Sequence, residues 1–165
     1  MTPRRYLVAC LIAVAILVTS CGSAATNERV LPDTQLELLD GGSYDLRQTG
    51  EPRALNLWAT WCAPCRAELP AFDDVASRVN GVDIVGINIG DSGPDAAELV
   101  DELDLSFTQI LDPKATVQAA LRITGMPATI FVDANGDIVQ VHNGELEREE
   151  LEMLLSDLFG ATFTS

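Results

Sequence analysis

The pattern of apolar and polar positions after residue 30 predicts strands and helices that alternate along the chain. Two compact apolar runs, 54–59 and 82–89, show little polar alternation and are typical of strands buried on both faces of a sheet. Between them, apolar residues recur at spacings of four and three, which marks one face of a helix. That face consists of Cys65, Leu69, Phe72, Ala76 and Val79, and Gly81 is expected to end the helix.

The next part of the chain continues this alternation. An acidic helix is predicted over 94–103, a strand over 107–111 and another helix over 113–121. Strands that alternate with helices are joined by crossover connections, and such connections link parallel neighbours. The pattern therefore favours an α/β domain with parallel strands at its centre.

Two pairs of short strands are joined by turns that contain glycine. Gly41-Gly42 separates the first pair, and Asn135-Gly136, a strong hairpin signal, separates the second. A final helix is predicted over 147–159. The four strands are 35–39 and 43–46 in the first pair, and 128–132 and 138–141 in the second. We therefore expect a central mixed sheet flanked by helices, with an N-terminal hairpin, a parallel core and an antiparallel hairpin at one edge.

The first twenty residues have the pattern of an export signal. Arg4 and Arg5 precede an unbroken apolar run over 6–18, and small residues follow it. The run is shorter than the about 20 apolar residues that a membrane-spanning helix needs. The segment Val18-Thr19-Ser20-Cys21 resembles the lipobox of bacterial lipoproteins, which implies cleavage before Cys21 and a lipid on that cysteine. A plain signal peptide and an uncleaved anchor are the alternatives.

This pattern divides the chain into a signal peptide over 1–20, a small and polar tether over 21–30 and one domain over 31–160. The lipoprotein interpretation places the domain outside the cytoplasm, held by the lipid on Cys21 at the outer face of a bacterial cytoplasmic membrane.

The charge of the chain narrows the possible partners. The formal net charge is −15, and loss of Arg4 and Arg5 with the signal would make it more negative. Nucleic acid and anionic lipid would be repelled by such a surface, so we expect neither as a partner. Solubility explains the acidity more simply than a docking site for a basic protein.

The cysteines point to redox chemistry at Trp61-Cys62-Ala63-Pro64-Cys65. With Cys10 in the signal and Cys21 lipidated, only Cys62 and Cys65 remain, so the chain has no framework of several disulfides. The pair lies between a predicted strand and a predicted helix, where free backbone N–H groups and the helix dipole favour a thiolate. Cys62 is expected to attack a substrate disulfide, and Cys65, one turn deeper, to resolve the mixed disulfide.

Metal binding and a purely structural disulfide fit the cysteine pair less well than redox chemistry does. A structural zinc site needs four ligands, and beyond these two cysteines the exported chain offers only His142 and a lipidated cysteine. A structural disulfide across two residues would constrain almost no loop. Copper delivery would favour a longer cysteine spacing and a well-placed histidine, whereas His142 is interpreted as a surface residue. We therefore expect no metal and no other cofactor.

The segment from Asn56 to Pro70, NLWATWCAPCRAELP, resembles the active-site segment of the TlpA, ResA and DsbE-like thiol:disulfide oxidoreductases, which have the thioredoxin fold. Gly125-Met126-Pro127 resembles the cis-proline loop of that family, Pro70 matches the proline of its active-site helix, and residues 90–111 resemble its inserted helix and strand. The resemblance covers about residues 31–160 and implies a thioredoxin fold.

The resemblance also implies roles for individual residues. Met126 and Pro127 would lie opposite the cysteines and bind an extended substrate, with Trp61 providing further contact area. Plain thioredoxins carry a buried aspartate where this chain has Asn56, which cannot titrate. In the resembling family a glutamate three residues after the second cysteine is thought to serve instead, and Glu68 occupies that position. A partly buried Glu68 would have a raised pKa and could carry a proton, although a solvated helix glutamate is the alternative.

The direction of electron flow follows less directly from the sequence. Pro64 beside Cys65 resembles the reducing members of the family, which keep the cysteines of haem-attachment or copper sites of exported proteins as thiols. A reductase acting on protein disulfides is therefore favoured over a disulfide-forming oxidant. The partners would be protein thiols or disulfides and a membrane protein that donates or accepts electrons, and the chain is expected to be a monomer. A peptide- or metal-binding lipoprotein without redox function remains the rival from another class.

Overall fold

A computed structural model describes residues 29–164. The predicted signal peptide, Cys21 and most of the predicted tether lie outside the described residues. None of the helices within 29–164 is long and apolar enough to cross a membrane.

The described chain contains nine strands and four helices, which follow the predicted alternation. The strands are β1 (Gln35–Leu38), β2 (Ser43–Asp45), β3 (Arg53–Trp58), β4 (Val79–Asn80), β5 (Asp83–Ile89), β6 (Thr108–Asp112), β7 (Ala128–Val132), β8 (Ile138–Asn143) and β9 (Thr162–Phe163). The helices are α1 (Ala63–Arg78), α2 (Gly93–Glu102), α3 (Thr116–Ala120) and α4 (Arg148–Phe159).

Seven of the strands form one mixed sheet in the order β2-β1-β6-β5-β3-β7-β8. β3, β5 and β6 are parallel neighbours, and β7 pairs antiparallel with β3, placing Thr129 opposite Asn56. The predicted parallel core and mixed sheet are thereby confirmed. The β7–β8 hairpin lies at one edge, as expected, and the N-terminal hairpin closes the other edge because β1 pairs with β6 as well as with β2. The sequence had not assigned the N-terminal hairpin to an edge.

The two faces of the sheet carry separate apolar clusters. On one face, α1 and α4 contribute Leu69, Phe72 and Leu151 to a cluster that includes both cysteines of the CxxC segment. On the other, Val117 of α3 packs among residues such as Leu55. The uninterrupted apolar runs of β3 and β5 reflect this burial from both sides. The active-site segment is therefore attached to a strand that is buried along its whole length.

Helix α1 is one continuous helix through Pro70, as its apolar spacing predicts, but it ends earlier than expected. Val79 has an extended backbone and pairs with Phe163, while Asn80 pairs with Thr162. The side chain of Val79 still packs on the apolar cluster below α1, although its backbone is extended. Apolar spacing alone therefore does not show whether the last residue is helical or extended. The small β4–β9 sheet was not predicted.

Helix α3 is shorter than the predicted 113–121. The Asp112 carboxylate accepts hydrogen bonds from the backbone N–H groups of Thr116 and Val117, at 2.9 and 2.8 Å, and so caps the helix start. Ala115 lies in the left-handed region with φ 52°, which breaks any helical path from Pro113. The proline therefore begins a turn and not the helix.

Candidate active site

The two cysteines lie at the junction of β3 and α1, as predicted. Cys62 is the N-cap residue of α1, and its Sγ accepts the backbone N–H of Cys65 at 3.3 Å. The two sulfurs form a disulfide with an S–S distance of 2.00 Å. The same N–H groups at the helix start would stabilise a thiolate on Cys62 once the disulfide is reduced.

The surroundings of the two cysteines differ in exposure. Cys65 is completely buried, whereas Cys62 retains 5% of its surface and follows Trp61, which is 70% exposed. Trp58, in contrast, is fully buried and donates its indole N–H to Gln109 Oε1 at 2.9 Å. A partner can therefore approach the Cys62 side over Trp61, and Trp58 belongs to the core.

Met126 and Pro127 form a loop with a cis peptide bond, as the resemblance implies. Pro127 is buried and its carbonyl accepts the N–H of Gly144 at 2.9 Å, which ties the loop to the end of β8. Met126 packs against the apolar cluster that contains both cysteines. A groove of about 450 Å³ runs beside the loop and is lined by Arg122, Met126 and Pro127 among others.

Glu68 is buried more deeply than the sequence suggests, with only 2% of its surface exposed. It lies one turn after Cys65 on α1, and its carboxylate accepts two hydrogen bonds from uncharged donors. Asn56 Nδ2 donates to Oε1 at 2.7 Å, and the Leu146 backbone N–H donates to Oε2 at 2.8 Å. No arginine, lysine or histidine within residues 29–164 pairs with it.

Burial raises the pKa of Glu68 from its ordinary value of 4.5 to about 7. The hydrogen bonds from Asn56 and Leu146 oppose this rise because they favour the ionised form, while the negative charge of Glu145 adds to it. A carboxyl group with such a pKa can hold or release a proton near neutral pH. The predicted position and raised pKa of Glu68 are thus present in the structure, whereas its catalytic role stays a prediction.

Three residues that support the site were not predicted from the sequence. Thr129 accepts a second hydrogen bond from Asn56 Nδ2 at 3.3 Å, and Leu146 holds the other side of Glu68. Asp91 accepts from the Thr60 backbone N–H at 2.8 Å and from the Thr60 hydroxyl at 2.9 Å, fixing the chain just before Trp61. Asp91 lies two residues after a predicted strand, which is the signal that could have identified it.

The remaining candidate, His142, lies half-buried on β8. Residues 29–164 contain no group of three or more histidine, cysteine, aspartate or glutamate side chains placed to hold a metal ion.

Comparison with known proteins agrees with this geometry. The family model described as Redoxin matches residues 25–158. This chain belongs to the Redoxin family. Among curated relatives of this redoxin, it is 34% identical over 134 residues to the thiol-disulfide oxidoreductase ResA of Oceanobacillus iheyensis, covering 77% of this chain and 70% of the relative. It is 32% identical to the thiol:disulfide interchange protein DsbE of Vibrio cholerae, with 79% and 72% covered.

A solved structure shares the fold of this redoxin. MTB dsbF, in its mixed oxidized and reduced forms, superposes with a TM-score of 0.69 at 30% identity, covering 78% of this chain and 99% of that protein. Together with the Cys62–Cys65 disulfide, these similarities identify the redoxin as a thioredoxin-fold thiol:disulfide oxidoreductase of the ResA and DsbE type. The predicted family, fold class and enzyme class are confirmed.

Proposed function

We propose that this redoxin is a reductase of protein disulfides that works outside the cytoplasmic membrane. The observation that carries the proposal is the buried Glu68 carboxylate, one turn beyond the buried Cys65. Arg66, the nearest arginine in sequence, is paired with Glu102 at 2.9 Å. An anion near the pair disfavours a second negative charge on the thiols and so destabilises the reduced form. A dithiol whose reduced form is less stabilised gives up its electrons more readily.

The exchange can be written with every bond and proton assigned. The Cys62 thiolate attacks one sulfur of a substrate disulfide, and the other substrate sulfur leaves as a thiolate. The Glu68 carboxylate then takes the proton of Cys65, whose thiolate attacks Cys62 Sγ. The second substrate sulfur leaves, two electrons have passed to the substrate, and the Cys62–Cys65 disulfide of the structure is formed. The Glu68 proton can then pass to a substrate thiolate or to water.

Substrate binding is assigned to three residues around the cysteines. Trp61 offers a large exposed aromatic surface next to Cys62. Met126 and Pro127 lie on the loop that packs on the cysteine cluster and borders the groove, where an extended peptide could lie. Contact through backbone and aromatic surface suits an enzyme whose substrates are protein segments that carry a cysteine.

The N-terminal sequence and the likeness to the relatives support the proposed location and partners. Cys21 would carry the lipid that holds residues 31–160 as a monomer at the outer face of the membrane. A membrane protein would return electrons to the Cys62–Cys65 disulfide. Likeness to ResA and DsbE supports a role in maturation of exported cytochrome c or copper sites, where target cysteines must be kept reduced.

The redox potential tests the direction of electron flow. We expect equilibration of the purified domain with glutathione buffers to place Cys62–Cys65 near the reducing end of the range of about −270 to −120 mV seen in related proteins. A value near the oxidising end would overturn the reductase and favour a disulfide-forming oxidant.

Trapping in cells tests whether the protein exchanges disulfides at all. The variant Cys65→Ser keeps the attacking thiol but cannot resolve, so it should accumulate mixed disulfides with its substrates, which mass spectrometry identifies. Cys62→Ser is the matched control and should trap far fewer. If both variants still perform the cellular task without trapped partners, the protein is a binding module and not an exchange enzyme.

A further inference from the structure

The neighbours of Glu68 favour one position for its proton. Oε2 faces the backbone N–H of Leu146 at 2.8 Å, and a backbone N–H can only donate. A carbonyl oxygen accepts this N–H better than a hydroxyl oxygen does, so the proton of a neutral Glu68 is favoured on Oε1. Oε1 in turn faces the Nδ2 group of Asn56 at 2.7 Å, which also donates. A protonated Oε1 and an Asn56 amide in this orientation would place two donors against each other.

The Asn56 side chain contains the acceptor that a neutral Glu68 needs. Its Oδ1 atom is buried and has no hydrogen-bond partner among residues 29–164. Rotation of the terminal amide by half a turn exchanges Oδ1 and Nδ2, so that Oδ1 would face Glu68. The Thr129 hydroxyl, 3.3 Å from Nδ2, suits either orientation because a hydroxyl can accept one hydrogen bond and donate another.

We propose that Asn56 is a positioning residue whose side-chain amide reverses each time Glu68 gains or loses its proton, with the Thr129 hydroxyl rotating to match. The inference rests on the proposed role of Glu68 as the proton carrier for Cys65. Asn56 touches neither substrate nor sulfur in this scheme. It keeps Oε1 hydrogen-bonded in both protonation states, as acceptor for the neutral acid and as donor to the carboxylate.

The reversal keeps the two states close in hydrogen bonding. In the structure Asn56 Oδ1 is the unpartnered atom, which is the arrangement that suits an ionised Glu68. With Glu68 neutral, Nδ2 takes that place and Oδ1 accepts from Glu68 and Thr129. Asn56 makes two hydrogen bonds in each state. The ionised state leaves one acceptor atom unpaired, whereas the neutral state leaves the two N–H groups of Nδ2 unpaired, so this residue favours the ionised form. An ionised aspartate at this position would be acceptor-only and would add a second negative charge beside Glu68.

Few charges act on this group of side chains. Asn56 on β3 and Thr129 on β7 are uncharged. Cys65 lies on α1, as Glu68 does, and in the oxidised protein it carries no proton. The segment before α4 contributes Glu145, whose charge favours the neutral form of Glu68. The proton balance of the proposal is correspondingly simple. The Cys65 S–H bond breaks, an O–H bond forms at Oε1, and the amide reversal itself moves no proton.

The test uses the oxidised protein, in which the cysteines do not titrate. The Glu68 carboxyl carbon and the Asn56 side-chain NH2 group are followed by NMR through the Glu68 titration, whose expected midpoint is about 7. At high pH the Asn56 amide protons should show a nuclear Overhauser contact with the Glu68 methylene protons. At low pH this contact should be lost with the same midpoint, since Nδ2 then points away.

Glu68→Gln gives an independent measurement, because glutamine has the shape of a protonated glutamate. Its carbonyl can accept from Leu146, and its NH2 group needs an acceptor where Oε1 lay. The Asn56 NH2 signals in this variant should match the low-pH signals of the wild type at every pH. Asn88 is the internal control, being a buried asparagine that donates to Asp91 at 2.7 Å and not to Glu68. Its NH2 group should keep its contacts through the same midpoint.

The outcomes separate this inference from the proposed function. If Glu68 titrates near neutral pH while the Asn56 contact persists, the amide does not reverse and the inference is overturned, with Glu68 still available as proton carrier. If Glu68 shows no titration near neutral pH, both its proposed role and the reversal are overturned. The direction of electron flow is measured separately, by the redox potential.

Discussion

Helix α1 carries two carboxylates, Glu68 and Asp74, in opposite environments. Glu68, near the cysteines, is 2% exposed and bonded to uncharged N–H donors. Asp74, near the other end, is 37% exposed and paired with Arg78 and Arg148. Burial raises the pKa of Glu68 to about 7, whereas the hydrogen bond from Arg78 lowers the pKa of Asp74. Environment, and not residue type, decides which carboxylate can carry a proton at neutral pH.

The largest expected effect comes from removing the buried carboxylate. In Glu68→Gln, the rate at which the reduced protein reduces a peptide disulfide should fall by about 100-fold at neutral pH, since general bases contribute at least that much. The rise in rate with a midpoint of about 7 should also disappear. Stopped-flow measurement of the rate from about pH 5 to about pH 9 checks both.

Asp74→Asn is the matched control, because it makes the same chemical change on the exposed part of the same helix. Its rate and pH profile should equal those of the wild type. A Glu68→Gln profile that coincides with the Asp74→Asn profile would remove Glu68 from the mechanism.

The next largest effect is on the free energy of unfolding, whose dependence on pH has opposite signs for Glu68 and Asp74. Because the pKa of Glu68 is higher in the folded protein than its ordinary 4.5, the folded state binds more protons between these values. The free energy of unfolding is therefore unaffected below about 4.5 and falls as the pH rises to about 7, by about 3 kcal/mol at most. Asp74, with a lowered pKa, stabilises the fold above its ordinary value of 3.8 and loses this effect as the pH falls through its folded value.

Urea unfolding of the oxidised wild type and of Glu68→Gln at about pH 5 and about pH 8 measures the first effect. The free energy of unfolding of Glu68→Gln, relative to the wild type, should be higher at the higher pH. If the difference in free energy of unfolding between variant and wild type is the same at both pH values, burial does not destabilise the ionised Glu68.

The smallest effect is expected from removing the ion pairs at the exposed C-terminal end of α1. Arg78 joins Asp74 on α1 to Glu152 on α4 and so links the two helices. Arg78→Gln should lower the melting temperature slightly at low salt, and concentrated salt should reduce the difference because it screens exposed charges. The disulfide exchange rate should stay unchanged. A fall in that rate would show that the two ends of α1 are coupled.

The sequence is a good guide to those parts of the molecule that depend on local pattern. The apolar runs predict β3 and β5, the spacing of four and three predicts α1, and Asn135-Gly136 predicts the β7–β8 hairpin. Cys62 and Cys65 could be singled out because helix starts favour thiolates and the spacing allows a disulfide. The pairing of β1 with β6 could not be predicted, since strands distant in sequence leave no local signal of which edge they join.

For the active site too, some features follow from the sequence and others only from the tertiary structure. By itself the sequence determines the redox pair, the helix that carries it and the presence of a glutamate one turn beyond Cys65, because these follow from spacing along one element. Only the tertiary structure decides that this glutamate is buried, that Asn56 and Leu146 hold it, and that Thr129 stands behind Asn56. The reason is physical: the pKa of a carboxyl group is set by the solvent it loses and the donors it meets, and these come from strands and loops far along the chain.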